Sequence, residues 1–237
     1  MGQSKSEIGA RAPAGIDPFG DTGEGSSVYE LIRDDIISGR LKENERLVVS
    51  DLARRHGTST NPVREALQQL RGEGFVILSP NRGARVRPID QAFVRDIYEI
   101  GVLIEPALAH WFVGMATDAD IAELERLQGL MEENNFADPI RHSELDTEFH
   151  TVMYRRHYNR HAIELWWKHR EVLRAVGRRF GFTLARRALV MREHREIIAH
   201  IKAQEAEKAA DTVRRHVEGS GKHILEQLRA VHPEAVG

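Results

Sequence analysis

Residues 50–74 read SDLARRHGTSTNPVREALQQLRGEG, and the spacing of their apolar side chains predicts two short helices joined by a tight turn. Leu52 and Ala53 supply the apolar contact of the first helix. Gly57 permits the chain reversal, and Val63, Ala66, Leu67 and Leu70 mark the inner face of the second. Arg64, Gln68 and Arg71 fall on the opposite face. Asn61 is read as the N-cap, Pro62 as the first helical residue and Glu65 as an acid in the first turn, which together define a firm helix start. A helix held at its N-terminus in this way can present its first turn to a DNA major groove.

Working outward, SSVYELIRDDIISGRL from Ser26 places Val28, Leu31, Ile32, Ile36 and Ile37 at helical spacing, with Ser27 as cap and Gly39 as stop. Downstream, Phe75–Leu78 and Ala84–Arg87 flank a turn at Ser79–Gly83, a β-hairpin that forms a wing behind the helix pair. Residues 1–25, rich in Gly, Ser, Pro and Asp, are expected to be a disordered tail. After Pro88 the strand signals end, and helices are expected near 90–114, 118–134, 139–157, 160–181, 184–204 and 206–230. The fold class is therefore mainly α: an N-terminal winged helix-turn-helix over 26–88 and a C-terminal six-helix antiparallel bundle over 89–232. The bundle has room for a ligand inside.

The net charge of −2 hides an uneven distribution. Residues 26–90 hold eleven basic and nine acidic side chains, but from Arg54 to Arg87 there are seven arginines against two glutamates. Positive charge thus gathers at the elements expected to face DNA. There is no cysteine among the 237 residues, so disulfides and thiolate metal sites are excluded and any metal must use His, Asp or Glu. No apolar run is long enough to span a bilayer and no signal-peptide pattern opens the chain, so a cytoplasmic location and no membrane partner are expected.

In SELDTEFHTVMY, Asp146 and His150 are four apart and share one helix face. His194 and His216 lie beside the apolar stripes of two further helices. Three imidazoles and a carboxylate suit a borderline divalent ion such as Zn²⁺, with Ni²⁺ and Mn²⁺ as alternatives. By spacing alone the other histidines, including His142, His157, His161, His169, His200 and His223, could form rival sets.

These motifs together resemble the GntR family of bacterial transcription regulators, in its FadR-like branch with an FCD effector domain. The resemblance covers about residues 26–230. It rests on IISGRLKENERL, on the helix-turn-helix run with its PVREAL core, on the wing turn NRGARV, and on LDTEFH, MREHREII and RRHV. It implies DNA contacts at Ser50, Ser59, Thr60, Asn61 and Arg64 and, in the wing, at Arg82 and Gly83. Arg64 is the expected guanine or phosphate contact. It also implies that Asp146, His150, His194 and His216 are the metal ligands. Six helices in the second domain are similar to the VanR-type subgroup.

Two positions depart from the pattern. Thr60 stands where relatives often carry arginine, so the preferred operator differs. Gly101, in IYEIGVLIEPALA, stands where many relatives have an arginine able to meet an effector carboxylate; either another cation such as Arg174 or Arg178 takes over, or the effector differs from the usual small organic acid. The resemblance implies a regulator, most simply a repressor, that binds a palindromic double-stranded operator as a homodimer and senses a small molecule, with a carboxylate as the expected group, beside the metal. Two other readings use the same residues. A metal-dependent hydrolase lacks an HExxH motif and a well-spaced general base; Glu148 falls on the wrong face and Glu193 lies next to His194. A purely structural metal would hold helices together without sensing anything.

Overall fold

The computed structural model describes residues 27–79 and 83–231, so the expected tail at 1–25 and the wing residue Arg82 lie outside the described residues. Helix α1 (Val28–Ile37) starts at Ser27, whose hydroxyl accepts from the Glu30 N–H while the Glu30 carboxylate accepts from the Ser27 N–H. That reciprocal cap satisfies two donors that no helix carbonyl can reach. Gly39, at φ +75°, lets the chain turn away behind it.

Helix α2 (Val49–Arg55) and helix α3 (Thr60–Glu73) are separated by Gly57 at φ +63°, as its place in the sequence requires. The start of α3 corrects the sequence reading. Ser59 is the N-cap, Thr60 and Asn61 are already helical, and the first turn holds no acid. Pro62 becomes the third helical residue, a position whose N–H would have no intrahelical partner, so proline is accommodated there as easily as at the first. The consequence is functional: Asn61 is released from capping and remains exposed. Gly74, left-handed at φ +93°, ends α3 and turns the chain into strand β1 (Val76–Ser79). Antiparallel β2 (Gly83–Val86) returns in the register Val76↔Val86 to Ser79↔Gly83, and Arg46 bridges Arg85 on its other edge.

Six helices follow among the described residues: α4 (Gln91–Val113), α5 (Asp118–Asn134), α6 (Pro139–Tyr154), α7 (Arg160–Phe180), α8 (Leu184–Lys202) and α9 (Ala206–Val231). The starts of α4 to α8 are set by side-chain caps at Asp90, Thr117, Asp138, Asn159 and Thr183. Helix α6 stops at Tyr154, short of the expected 157. The His157 Nδ1 accepts the Asn159 N–H at 3.0 Å, which shapes the turn into α7.

One buried apolar cluster, including Leu127, Phe149, Met153, Trp166, Ile197 and Val213, fills the bundle. A second joins Ile32, Val63 and Leu70 of the DNA-reading part to Val94 and Ile97 of α4, Val172 and Val176 of α7, and Ile224 and Leu228 of α9. The core therefore runs across the composition boundary at Pro88. No described helix is long and apolar enough to cross a membrane.

Candidate metal centre and nucleic-acid interface

The four expected ligands come from three helices. Asp146 and His150 project from α6, His194 from α8 and His216 from α9, and one donor atom from each lies within 4.8 Å of all the others. Among the described residues this is the one cluster with metal-ligand composition, so the rival histidines form no alternative set. His161 is solvent-exposed, His200 pairs with Glu205 at 2.8 Å, and His223 faces the Gly181 carbonyl at 3.2 Å.

Hydrogen bonds outside the cluster orient its rings. The His194 Nδ1–H donates to Gln128 Oε1 at 3.1 Å, and the His216 Nδ1–H donates to Glu193 Oε2 at 3.0 Å. Each arrangement leaves Nε2 as the lone-pair nitrogen, the state a metal needs. Gln128 is itself held by Glu132 at 2.8 Å, and Glu193 by the buried Arg186 guanidinium at 3.1 Å. Asp146 pairs through Oδ2 with Arg170, while Oδ1 lies 3.4 Å from His194 Nε2. His150 is fully buried, yet neither of its ring nitrogens has a partner, and His194 Nε2 is likewise orphaned.

Buried polar atoms normally find partners, so unpartnered nitrogens gathered in one cluster are donors that a metal ion would satisfy. Burial holds the His150 imidazole neutral, pushed down to about 4, and lowers His194 and His216 well below the usual histidine range. Neutral imidazoles beside a carboxylate are the donors a divalent ion requires, so the residues present fit the group. Glu193 was visible in the sequence only as a neighbour of His194. Gln128 and Arg170 gave no local signal.

A cavity of about 130 Å³ opens onto this cluster, with Asp146 and His216 in its wall. Arg174 lines it and donates to buried Glu171 at 2.8 Å. The side chain of Arg178 lies outside the described residues. The expected pair is therefore incomplete as a list of cations, because Arg170 and Arg187 also line the cavity. Gly101 is buried, and a Cβ there would meet both Glu105 Oε1 and Val217 Cγ1 at 3.2 Å. Glu105 lies in the cavity wall and is pushed up to about 7 by burial, against the opposing pull of Arg170.

At the other end of the molecule, α3 buries Val63, Ala66, Leu67 and Leu70 and leaves Ser59, Thr60, Asn61, Arg64 and Gln68 exposed. Ser50, at the start of α2, is exposed as well, and so is Gly83 at the beginning of β2. Arg64 has no carboxylate within 4 Å among the described residues, whereas Arg54 is paired with Asp51 and Arg55 with Asp35. The Ser59 hydroxyl makes no capping bond. These donors, on a helix start rich in free N–H groups, form a surface able to meet phosphate and base edges.

Known protein families match both parts of the chain. Residues 25–86 match the bacterial regulatory proteins of the gntR family, and residues 96–219 match the FCD domain. The uncharacterized HTH-type transcriptional regulator YdhC of Bacillus subtilis is 26% identical over 205 residues, covering 84% of this chain and 91% of that protein. The HTH-type transcriptional repressor GlaR of Escherichia coli is 24% identical over 206 residues, covering 80% and 90%. Among solved structures, a putative GntR regulator from Rhodococcus sp. RHA1 superposes with a TM-score of 0.65 at 22% identity, covering 84% of this chain and 96% of that one. The matched families and relatives are transcriptional regulators rather than enzymes, which removes the hydrolase alternative. The geometry agrees, since the carboxylate nearest in sequence, Glu193, is committed to Arg186 and His216.

Proposed function

This chain belongs to the gntR family of bacterial regulatory proteins, carries an FCD domain and is a DNA-binding transcriptional regulator; from that premise we propose that it is a homodimeric, metal-containing repressor relieved by a small effector. The observation that carries the metal reading is His150: fully buried, neutral, and without a partner for either ring nitrogen in a four-donor cluster. Zn²⁺ suits three imidazoles and one carboxylate best. Held by Asp146, His150, His194 and His216, the ion would supply a Lewis-acidic centre for an effector oxygen beside the cavity.

Several features support the remaining parts. One recognition helix reads too few base pairs for an operator, so two-fold pairing of Ser50, Ser59, Thr60, Asn61 and Arg64, with Arg82 and Gly83 of the wing, is the economical way to reach specificity. The relatives GlaR and RspR of Escherichia coli are named as repressors. A polar chain joins the cavity to the DNA-reading part. Arg174 in the cavity wall and Arg33 on α1 share Glu171, at 2.8 and 2.9 Å. The Arg33 guanidinium lies over the Tyr29 ring, and the Tyr29 hydroxyl donates to Glu73 at the end of α3 at 2.7 Å. An anion that draws Arg174 away from Glu171 changes what holds Arg33, and through it the seat of α3. The effector shifts operator affinity only by its differential affinity for the two arrangements.

The test begins with metal-stripped protein, re-equilibrated with Zn²⁺, Ni²⁺ or Mn²⁺ and assayed for metal content and for binding to a duplex selected from a random pool. One Zn²⁺ per chain, lost when His194 and His216 are both replaced by alanine, is the expected result. Substoichiometric metal in the wild type overturns the metal reading. Metal that stabilises folding while leaving every small-molecule response unchanged makes it structural instead.

A further inference from the structure

The free edge of β2 is covered by residues 45–47, and the middle one of the three is an arginine outside the helix-turn-helix. We infer that Arg46 is a further DNA contact, holding a backbone phosphate beside the wing and reading no base. This rests on the reading of α3 and the wing as the DNA-facing surface and extends that surface along the wing sheet.

The ladder geometry comes first. The Leu47 N–H donates to the Ala84 carbonyl at 2.9 Å and the Val86 N–H to the Glu45 carbonyl at 3.0 Å, so Arg46 and Arg85 face each other without exchanging a hydrogen bond. In an antiparallel ladder that is the position where facing side chains come closest. Leu47 and Val86 point into the core, at 5% and 1% exposure, so the alternating Arg46 and Arg85 side chains take the opposite face. Gly83 lies two residues from Arg85 and shares that face. The Arg46 Nε is 3.9 Å from where a Gly83 Cβ would stand, which puts the guanidinium against one of the proposed wing contacts.

Charge comes second. Like charges directly across a ladder are destabilising, and nothing in the described structure offsets this pair. Arg40 and Arg55 share Asp35, Arg54 has Asp51 and Arg33 has Glu171. Arg46 and Arg85 have no carboxylate within 4 Å among the described residues. Arg85 is half-buried and tied down, its Nη1 donating to the Asn44 carbonyl at 2.6 Å. Arg46 is exposed, with its donors unused. A phosphate seated there relieves the repulsion and takes those donors, and it does so whatever the base sequence. Arg46 is also four residues before Ser50, another proposed contact, so the chain leads from the wing edge to the start of α2 along one surface.

Affinity is measured by fluorescence anisotropy on the Zn²⁺-equilibrated full chain, with the selected duplex and an unrelated duplex of equal length, from about 50 to about 200 mM salt. Arg46→Gln is expected to weaken both duplexes by the same factor. It also lowers the slope of log affinity against log salt by about 0.9, so the variant loses about 3.5-fold less affinity across the series than the wild type does. Arg46→Lys keeps the wild-type slope, because a phosphate reads charge. The melting temperature of Arg46→Gln is unchanged or raised, since a like-charge pair has gone. An unchanged slope overturns the proposal. So does a loss confined to the selected duplex, which makes Arg46 a base contact, or a loss accompanied by a lower melting temperature, which makes it structural. Arg64→Ala, run alongside, separates this inference from the reading beneath it. If Arg64→Ala loses affinity and Arg46→Gln does not, the DNA-facing surface stands without Arg46; if neither variant loses affinity, that surface is wrong as well.

Discussion

Replacing His150 with leucine gives opposite outcomes for a metal ligand and for an ordinary core histidine. The side chain is fully buried and both nitrogens are unpartnered, so the metal-free protein carries an unsatisfied donor and an unsatisfied acceptor. Each such group costs about 1–3 kcal/mol. Leucine is close to histidine in volume and has no polar atoms, so His150→Leu removes that penalty and adds little strain in the surrounding Phe149, Tyr154 and His216 rings. With part of the two penalties offset by the packing lost with the ring, we expect the metal-free variant to be more stable than the metal-free wild type by about 1–3 kcal/mol, or about 2–12 °C in melting temperature for a chain of this length. The metal response goes the other way. A Zn²⁺ concentration near a thousand times the dissociation constant stabilises the wild type by about 4 kcal/mol, and that increment is lost in the variant. Melting curves of both proteins, stripped and then titrated with Zn²⁺, measure both effects at once. A metal-free His150→Leu destabilised by more than about 2 kcal/mol, with the Zn²⁺ increment intact, would falsify the assignment, because that is how a packed, satisfied histidine behaves.

Arg64→Ala is expected to weaken binding to the selected operator by about 1–3 kcal/mol, with Arg64→Lys intermediate; equal affinities by fluorescence anisotropy at two salt concentrations remove Arg64 from the interface. Because Arg33 and Arg174 share Glu171, their methionine variants are expected to affect operator affinity non-additively by about 0.5–2 kcal/mol. In a Glu171→Gln background that coupling disappears, and additivity in the wild-type background refutes the polar chain. The stability of metal-free protein is also pH-dependent. His150 is pushed down to about 4 in the fold against about 6.5 in the unfolded chain, so the unfolded state binds its proton first as pH falls. Stability is full above about pH 7 and declines between about 6.5 and 4, by up to about 1.4 kcal/mol per pH unit for this residue alone. Denaturant titrations flat across that window count against the neutral, buried state.

Much of this architecture is legible in local chemistry. Caps at Ser27, Thr117, Asp138, Asn159 and Thr183 and left-handed glycines at 57 and 74 announce where helices begin and turn, because those signals act within a few residues. Asn61 shows the limit of that reading. Ser59, Asn61 and Pro62 all favour a helix start, and the choice among them depended on where Val63, Ala66 and Leu67 had to face the core. Asp146 and His150 were legible as a pair because one helix turn brings them together. That His194 and His216 join them, and that His142 and His223 do not, depends on how α6, α8 and α9 pack.

The sequence by itself determined the kind of protein: a winged helix-turn-helix ahead of an all-helical domain, with a DNA-facing helix and four candidate ligands. Periodicity, capping and motif spacing are short-range properties of the chain and survive without a fold. Tertiary structure alone decided which polar groups support those candidate ligands and which cavity arginines are paired. Gln128 is 66 positions from His194 and Glu193 is 23 from His216, and Arg187 is set apart from Arg170 and Arg174 only because Asp146 and Glu171 reach the other two. Such contacts arise when separate helices close on one another, and whether a buried nitrogen or guanidinium is satisfied or left waiting is a property of that closure.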